Sequence, residues 1–340
     1  MFPRSYCCDR EFVSTDLSTR TMPTMNERIK LGVSACLLGQ NVRYDAGHCR
    51  DPFITGTLSQ YVELVPVCPE VECGLPVPRE AMRLVGSPQA PRLVTVYTKQ
   101  DQTDRMHAWC SKKLNELEKL DLCGFIFKKG SPSSGMEKIK VYTEQGTVST
   151  KGIGIFARAL MERFPLTPVE ENERLYDPTI RENFIEAIFV LKRWRETLSP
   201  GPIRQRLIDF HTKHELLLLA HSPKRPGLLS KMVAGIGDCA PEDFRTNYQE
   251  VLLGVLRPKT TRPKHTNVLL HALGYLRTFL RPEEKRELLE IIEQYRQGLL
   301  PLTVLVTLFN HYVRTYDATY LQNQCYFRPH PTELLLRNHA

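Results

Sequence analysis

The sequence predicts an α/β domain with a mainly parallel sheet, followed by an all-α helical bundle. Two patterns in the 340 residues lead to this prediction. Residues 30–150 alternate short apolar runs with turns and contain one amphipathic helical segment, which is typical of strands and a helix in an α/β domain. From residue 203 to about residue 316 the apolar residues recur at helical spacing, which indicates a bundle of helices.

The strands of the first half are predicted from short apolar runs that turns interrupt. These runs are LGVSACLL (31–38), VELVPVC (62–68), RLVTVYT (92–98), GFIFKK (124–129) and IKVYT (139–143). Their length and the intervening helix favour a mainly parallel sheet. The runs at 92–98 and 139–143 are suited to a smaller hairpin or an edge element.

The helices of the first half are predicted from amphipathic segments. In residues 103–120 the apolar side chains fall roughly on one stripe, which predicts a helix. Residues 151–164 predict a second helix that ends before Pro165, and an irregular connector follows it. Residues 179–198 predict a third helix, which is strongly amphipathic.

A Ser-Pro-Gly-Pro segment at 199–202 predicts the boundary between the two halves. The predicted organisation has four parts. They are a disordered N-terminal extension at 1–29, an α/β domain with bridging helices at 30–198, an all-α domain at 203–317 and a loose C-terminal tail at 318–340.

Charge and composition narrow the class of protein. The net charge is +8, but no run of five or more Lys or Arg occurs, so a solvated basic surface is favoured over a nucleic-acid groove. No apolar stretch approaches the ~18 residues that indicate a membrane span. The polar N-terminus lacks the apolar core of a secretory signal, so a cytoplasmic protein is expected, with Met1 or Met25 as its start.

Three features of the first half follow the ends of predicted strands. Cys36 lies near the end of the first run, Cys68 ends the second, and the loop Ser131–Gly135 follows the run at 124–129. In open α/β sheets, ligands bind outside the carboxyl ends of the strands, so these three places are expected to face one crevice. Because cytoplasmic cysteines are rarely in disulfides, two thiols there could hold a metal or an iron–sulfur cluster, form a redox pair, or simply pack.

Charged residues near these positions extend the candidate site. Glu70 follows Cys68 by two residues, so both point to the same face of an extended segment. A carboxylate in a partly buried crevice can transfer protons, and the alternative is an ordinary surface glutamate. Four residues of the connecting loops are suited to holding an anionic or heterocyclic ligand: Arg43, Asp45, Arg79 and Arg83.

The helical half contains one possible metal-binding pattern. His211, His214 and His221 fall near one face of a predicted helix. Imidazoles on one stripe can bind a transition metal, but ordinary polar contacts are the preferred interpretation. The rest of the helical half shows the pattern of a packed core with exposed charge.

Three stretches of the sequence resemble a known family more specifically. They are SACLLGQNVRYDAGH, PVCPEVECGLPVPREAMRLVG and KKGSPSSGMEKIKVY. Together they resemble the YbgA-like proteins, whose N-terminal part is similar to the bacterial thiouracil desulfidases (TudS). PVEENERLYDPTIRENFIEAIF resembles the bridge between the two parts, and LIDFHTKHELLLLAHSPK resembles the start of the helical YbgA domain. The resemblance covers residues 30 to about 317.

The resemblance implies an enzyme that removes sulfur from a thiolated pyrimidine or a similar small heterocycle by hydrolytic C=S cleavage. It implies a [4Fe–4S] cluster held by three cysteines, two of which correspond to Cys36 and Cys68. It also implies an acid/base role for Glu70 and a catalytic role for Ser131. Arg43 and Asp45 are candidates for positioning the base.

The sequence departs from the family at the third cluster ligand. Family members have Ser-Pro-Ser-Cys-Gly in the loop where this chain has Ser134 in place of the cysteine. Clusters of this kind are held by thiolates. Three outcomes stay open: Ser134 ligates a weakened cluster, Cys73 or Cys49 substitutes for it, or no cluster is bound.

This departure leaves two other classes of function open beside the desulfidase. The first is a cluster-free small-molecule-binding or regulatory protein that keeps the fold and the crevice. The second is a module that binds nucleic acid or a protein partner through the helical domain.

Overall fold

The computed structural model describes most of the chain. The described residues are 28–143, 148–198, 203–223, 226–236, 241–334, 336 and 337. The predicted extension at 1–29 lies almost entirely outside the described residues, and the predicted boundary at 199–202 lies outside them.

The described strands form two four-stranded sheets. They are β1 (Ile29–Ser34), β2 (Val62–Val67), β3 (Met82–Gly86), β4 (Pro91–Thr95), β5 (Gly124–Phe127), β6 (Ile139–Tyr142), β7 (Val148–Gly152) and β8 (Val169–Glu171). The first sheet has the order β2-β1-β5-β8, and all its strand pairs are parallel. The second sheet has the order β4-β3-β6-β7 and mixes parallel and antiparallel pairs. The predicted parallel sheet is therefore the first of the two.

The second sheet differs from the prediction in its pairing. β4 and β6 were expected to form a smaller hairpin or an edge element, but β3 lies between them, antiparallel to β4 and parallel to β6. The sequence missed β3, and it also missed β7 and β8, whose segments VSTKG and VEE are mostly polar. A short polar run has no strand signal of its own. It becomes a strand when a neighbouring strand offers unpaired backbone groups.

The described part of the chain also contains α-helices. They are α1 (Pro69–Glu72), α2 (Thr103–Leu120), α3 (Ile155–Arg163), α4 (Pro178–Thr197), α5 (Ile203–His221), α6 (Pro226–Ala234), α7 (Pro241–Leu256), α8 (Arg262–Leu276), α9 (Pro282–Arg296), α10 (Leu302–Thr315) and α11 (Thr319–Gln322). The predicted helices of the first half are α2, α3 and α4, and the second half is helical, which confirms the predicted fold class. Over the described part of the chain, no helix combines the length and the apolar character that crossing a bilayer requires.

Helix α4 connects the two halves. It begins at Pro178 because the Asp177 carboxylate caps it, accepting hydrogen bonds from the backbone N–H groups of Thr179 and Ile180 at 2.8 and 3.2 Å. Its residues 182–191 are all buried, because one apolar core includes residues of β1, α4 and the bundle. A Cβ at Gly124 would lie 2.8 Å from the Ile188 side chain, so glycine lets α4 approach β5 closely.

Two carboxylates on α4 are buried and meet an arginine from the end of the described chain. Arg337 lies 2.9 Å from Glu182 and 2.6 Å from Glu186, and His221 lies 3.0 Å from the other oxygen of Glu186. Burial raises the pKa of Glu186, but Arg337 and His221 outweigh it and hold that pKa well below its usual range. His330 also lies within 4.8 Å of both carboxylates. Because Arg337 already supplies the positive charge between them, the cluster is an ion network.

The C-terminal segment is packed against the bundle. Residues 318–340 were expected to be a loose tail, but Leu321, Tyr326 and Phe327 are buried. The Arg337 guanidinium donates to the carbonyl oxygen of Tyr326 as well as to the α4 carboxylates. The buried charges therefore hold this segment in place.

The three histidines of α5 have different partners. His211 lies 3.0 Å from the Tyr248 hydroxyl, His214 lies 2.7 Å from the Phe210 carbonyl oxygen, and His221 contacts Glu186. These are ordinary polar contacts inside the bundle.

The ion network leads to a stability prediction. Arg337→Met would leave two buried carboxylates without their cation, so we expect the free energy of unfolding to fall by about 3–5 kcal/mol. Urea unfolding monitored by circular dichroism measures this change. The matched control is Arg296→Met, because Arg296 pairs with Glu293 on the surface, where an ion pair contributes about 0–1 kcal/mol. Equal effects of the two substitutions would contradict the role of Arg337.

Candidate active site

The carboxyl ends of β1, β2 and β5 meet at one cavity. These strands are neighbours in the parallel sheet, so the loops that follow them open on the same edge. The cavity has a volume of about 350 Å³. Its lining includes seven residues singled out from the sequence: Cys36, Arg43, Cys68, Glu70, Arg79, Ser131 and Ser134. The expected convergence of three strand ends is thus observed.

Cys36 lies in a single helical turn directly after β1. Its carbonyl oxygen accepts hydrogen bonds from the backbone N–H groups of Gly39 at 3.3 Å and of Cys49 at 2.9 Å. Gly39 has a φ of +89°, a left-handed conformation that glycine adopts without strain. Burial raises the pKa of the Cys36 thiol to about 11, and the nearby Cys49 and Glu70 add to this effect.

Cys68 lies directly after β2 and precedes the short helix α1. Its backbone N–H donates to the Glu72 carboxylate at 2.8 Å, and its Sγ lies 3.6 Å from Oε2 of Glu70. Burial and the negative charge of Glu70 together raise the pKa of the Cys68 thiol to about 12. Both cavity cysteines are therefore protonated thiols at neutral pH in the absence of a bound metal.

Glu70 connects the loop after β2 with the loop after β5. Its Oε1 accepts a hydrogen bond of 2.5 Å from the Ser133 hydroxyl. Its Oε2 faces Cys68 Sγ at 3.6 Å and an Arg79 nitrogen at 3.9 Å. The side chain is only 12% exposed, so the alternative of an ordinary surface glutamate is excluded.

The serine loop is organised around the Ser131 hydroxyl. Ser131 Oγ accepts hydrogen bonds from the backbone N–H groups of Ser133 at 3.3 Å and of Ser134 at 3.2 Å. It also lies 2.9 Å from Ser133 Oγ. Because Oγ already accepts two N–H groups, the Ser131 hydrogen is free to point to Ser133. A hydrogen-bonded chain therefore runs from Ser131 through Ser133 to Glu70.

Helix α3 holds this loop in place. The carbonyl oxygen of Ser133 accepts hydrogen bonds from the N–H groups of Phe156 and Ala157, at 2.9 and 3.1 Å. These donors belong to the first turn of α3, where N–H groups have no partner inside the helix. Gly154, which precedes α3, packs so closely that a Cβ there would lie 2.5 Å from the Ser133 carbonyl group. The loop conformation is thus set by backbone contacts.

Arg43 and Asp45 bind each other at the edge of the cavity. Two guanidinium nitrogens of Arg43 donate to the two Asp45 oxygens at 3.1 and 3.2 Å. The third nitrogen, Nη1, donates to Cys49 Sγ at 3.0 Å. Arg43 lines the cavity, whereas Asp45 is exposed and absent from its described lining. Arg43 is therefore better placed than Asp45 to contact a ligand.

The other two arginines take different positions. Arg79 lines the cavity and donates to the Val42 carbonyl oxygen at 3.0 Å. Its side chain is only 8% exposed, and it lies next to Glu70. Arg83 is outside the described cavity lining and stacks on the Tyr142 ring, with 4.8 Å between guanidinium carbon and ring centroid.

Ser133 is the residue of this site that sequence reasoning missed. It is fully buried and makes the shortest contact to Glu70. A signal was present, since three serines occur in one five-residue loop. The sequence does not show which of the three hydroxyls reaches a carboxylate 63 residues earlier in the chain.

Two separate stretches of this chain match known protein families. Residues 31–172 match the family model described as 2-thiouracil desulfurase, and residues 215–331 match a family described as a protein of unknown function, DUF1722. The protein described as "Uncharacterized protein YbgA" of Escherichia coli (strain K12) is 31% identical over 152 residues, which are 44% of this chain and 90% of that protein.

One solved structure is also similar. It is described as a [4Fe-4S]-dependent thiouracil desulfidase TudS and is 27% identical, with a TM-score of 0.36. The match covers 44% of this chain and 94% of that chain.

The raised thiol pKa values predict slow alkylation. Because the pKa is about 11 for Cys36 and about 12 for Cys68, iodoacetamide should modify both slowly at neutral pH in the metal-free protein. The rate should rise about tenfold per pH unit with the thiolate fraction. Peptide mass spectrometry over a pH series measures each site, with an unstructured cysteine peptide as the control. A plateau of the Cys36 or Cys68 rate near pH 9 would contradict the burial of these thiols.

Proposed function

The chain belongs to the YbgA family and contains a 2-thiouracil desulfurase domain at residues 31–172, and from this premise we propose that it is a desulfidase. The substrate would be a thiolated pyrimidine or a similar small heterocycle. In the reaction the C=S bond is hydrolysed: water supplies the oxygen of the new C=O bond, and sulfur leaves as hydrosulfide. No electrons are transferred.

One observation supports this proposal most strongly. Two thiols, a largely buried carboxylate and Ser131 line one cavity at the ends of three parallel strands, and Ser133 links the Ser131 hydroxyl to that carboxylate. Thiols are ligands for an iron–sulfur cluster, and the carboxylate and hydroxyls can handle the protons of a hydrolysis.

Part of the cavity lining carries the thiol groups that can hold an iron–sulfur cluster. Cys36 and Cys68 line the cavity, and Cys49 Sγ lies beside it, against the guanidinium of Arg43. The position of the third family cysteine is Ser134, a residue that also belongs to the lining. The described residues thus offer three thiols within or next to the cavity, which is the number that such a cluster requires.

Cys36 and Cys68 would hold the cluster in this proposal. When bound, a [4Fe–4S] cluster with one iron free of protein ligands supplies an open position for the departing sulfur. Because both cysteines are protonated thiols when no metal is bound, cluster binding must release their protons.

Glu70 and the serine chain would move the protons of the hydrolysis. Glu70 would accept a proton from the attacking water through Oε2, the oxygen that the serine chain leaves free. Ser133 holds the other oxygen and orients the carboxylate. Ser131 would donate its hydrogen along the chain or to the substrate, because backbone N–H groups fix its oxygen.

The heterocycle would be held by cationic side chains at the cavity wall. Arg43 and Arg79 both line the cavity, and Arg79 is fixed by the Val42 carbonyl oxygen. A guanidinium donates hydrogen bonds in a plane, which suits the carbonyl or deprotonated ring nitrogen of a pyrimidine. Lys128, also in the lining, adds positive charge for such an anionic ring.

The serine in the third ligand position favours one rival function. If no cluster is bound, the same cavity would serve a small-molecule-binding or regulatory protein. Iron and sulfide analysis after anaerobic reconstitution separates the two functions, and a chain that binds no iron under these conditions would exclude the proposed desulfidase.

The role of Glu70 leads to a prediction for catalysis. After anaerobic reconstitution, hydrosulfide release from 2-thiouracil should fall about 10²–10⁴-fold in Glu70→Gln, which is the usual contribution of a general acid–base group. Cluster content should be unchanged. The matched control is Glu63→Gln, an exposed glutamate on β2. Full activity of Glu70→Gln would contradict the assignment.

The serine chain leads to a separate prediction. Ser133→Ala removes a hydrogen bond to a carboxylate, which contributes about 1.5–3 kcal/mol and corresponds to a roughly 10- to 150-fold change. We expect kcat to fall by such a factor while KM changes little, because Ser133 touches Glu70 and not the cavity. Steady-state kinetics of the reconstituted protein measures both constants. Ser111→Ala, on the exposed face of α2, is the control, and a change in KM alone would refute this role.

A further inference from the structure

The third ligand position of the proposed cluster has three candidates, one hydroxyl and two thiols. Ser134 is the residue at the position of the family cysteine, and Cys49 is a thiol next to Cys36. A third candidate thiol, Cys73, is also near in sequence. Their surroundings separate the three.

Ser134 is poorly suited to ligate iron. The residue is 4% exposed, and its hydroxyl lies 3.4 Å from the Ser133 hydroxyl. This contact is with a neutral group, which does not favour the deprotonated oxygen. Iron–sulfur clusters take thiolate ligands, and a serine must lose a far less acidic proton to bind.

Cys73 faces a different part of the domain. Its Sγ donates to the backbone carbonyl oxygen of Glu70 at 3.2 Å. It packs against the core that contains Cys110 of α2, whereas Cys36 and Cys49 pack against the core that contains Leu37. Cys73 is therefore packed in a different core from Cys36.

Cys49 is held directly beside Cys36. The loop that follows Gly39 folds back onto the helical turn that contains Cys36. The Cys49 N–H donates to the Cys36 carbonyl oxygen at 2.9 Å. The Asp51 N–H donates to the Leu37 carbonyl oxygen, also at 2.9 Å. Both cysteines are half-buried and pack against the same core. The backbone thus places the two thiols next to each other.

Cys49 is outside the described lining of the cavity, but its sulfur contacts Arg43, which is part of that lining. Arg43 lines the cavity, and its Nη1 lies 3.0 Å from Cys49 Sγ. Asp45 holds the other two nitrogens, so the guanidinium is fixed in this position. A hydrogen bond from a cation to sulfur is stronger when the sulfur is a thiolate, the form that binds iron.

We infer that Cys49 is the third thiolate ligand of the [4Fe–4S] cluster and that Ser134 is not a ligand. The inference rests on the proposed function, because it concerns the cluster that the desulfidase would use. It explains how this chain can lack the cysteine of the serine loop and still hold a cluster. Arg43 then acts as a positioning residue, which keeps a positive charge next to an anionic cluster.

Iron loading of single variants tests the inference. The full-length protein is purified anaerobically and reconstituted with ferrous iron and sulfide, and iron, acid-labile sulfide and absorbance are measured after desalting. We expect Cys49→Ser to lower retained iron by more than about tenfold, since loss of even an outer partner of a metal site costs 10–100-fold in affinity. Ser134→Ala should retain iron at the wild-type level.

Two controls bracket this experiment. Cys73→Ser removes a neighbouring thiol of similar burial and should retain iron, whereas Cys36→Ser should lose it. A measurement on the wild type needs no substitution: cluster loading should protect Cys49 from iodoacetamide, read by peptide mass spectrometry, and leave Cys73 as reactive as in the metal-free protein.

The outcomes separate this inference from the proposed function. Iron retained in Cys49→Ser and lost in Ser134→Ala overturns the inference and leaves the desulfidase standing. Loading that depends on Cys49 without hydrosulfide release from 2-thiouracil supports the inference and overturns the desulfidase. Wild-type protein that binds no iron overturns both.

Discussion

The burial of two carboxylates on α4 is the constraint on which both halves of the molecule depend. The helix lies between the parallel sheet and the bundle, so Glu182 and Glu186 are only 2% and 0% exposed. A buried carboxylate without a partner costs several kcal/mol. Arg337 therefore returns to α4 from the end of the described chain, and α5 ends with His221 beside Glu186. Charge as well as apolar packing joins the two halves.

The candidate site depends on the same arrangement through the parallel sheet. α4 packs directly on β5, and β5 pairs with β1, which pairs with β2. This order brings three carboxyl ends to one edge, where Glu70 bridges two loops through Ser133. The N–H groups of the first turn of α3, which have no partner inside the helix, hold the serine loop by hydrogen bonds. Strand order and backbone hydrogen bonds, more than side-chain packing, position the chemical groups.

A large part of this site was predictable from residue positions. Cys36 and Cys68 lie at the ends of apolar runs and Ser131 follows one, and parallel strands place such positions on one edge. The expected reason for the contact between Glu70 and Cys68 was wrong, because Pro69–Glu72 forms the helix α1 and not an extended segment. The part that could not be predicted depends on contacts distant in sequence. Ser133 reaches Glu70 from another strand end, and β3 enters the second sheet between two strands that the sequence paired with each other.

The sequence by itself determined the fold class, the two halves and the set of chemical groups, because apolar periodicity and strand ends are local properties. Tertiary structure decided which of these groups meet. It distinguished Cys49, which packs against the same core as Cys36, from Cys73, which packs against the other core, and it paired Arg43 with Asp45 and Cys49. It also packed the segment after residue 317, whose sequence has no strong pattern, onto α4. The physical reason is that the position of a buried charge or of a loop depends on the residues that it contacts, and those residues are distant in the sequence.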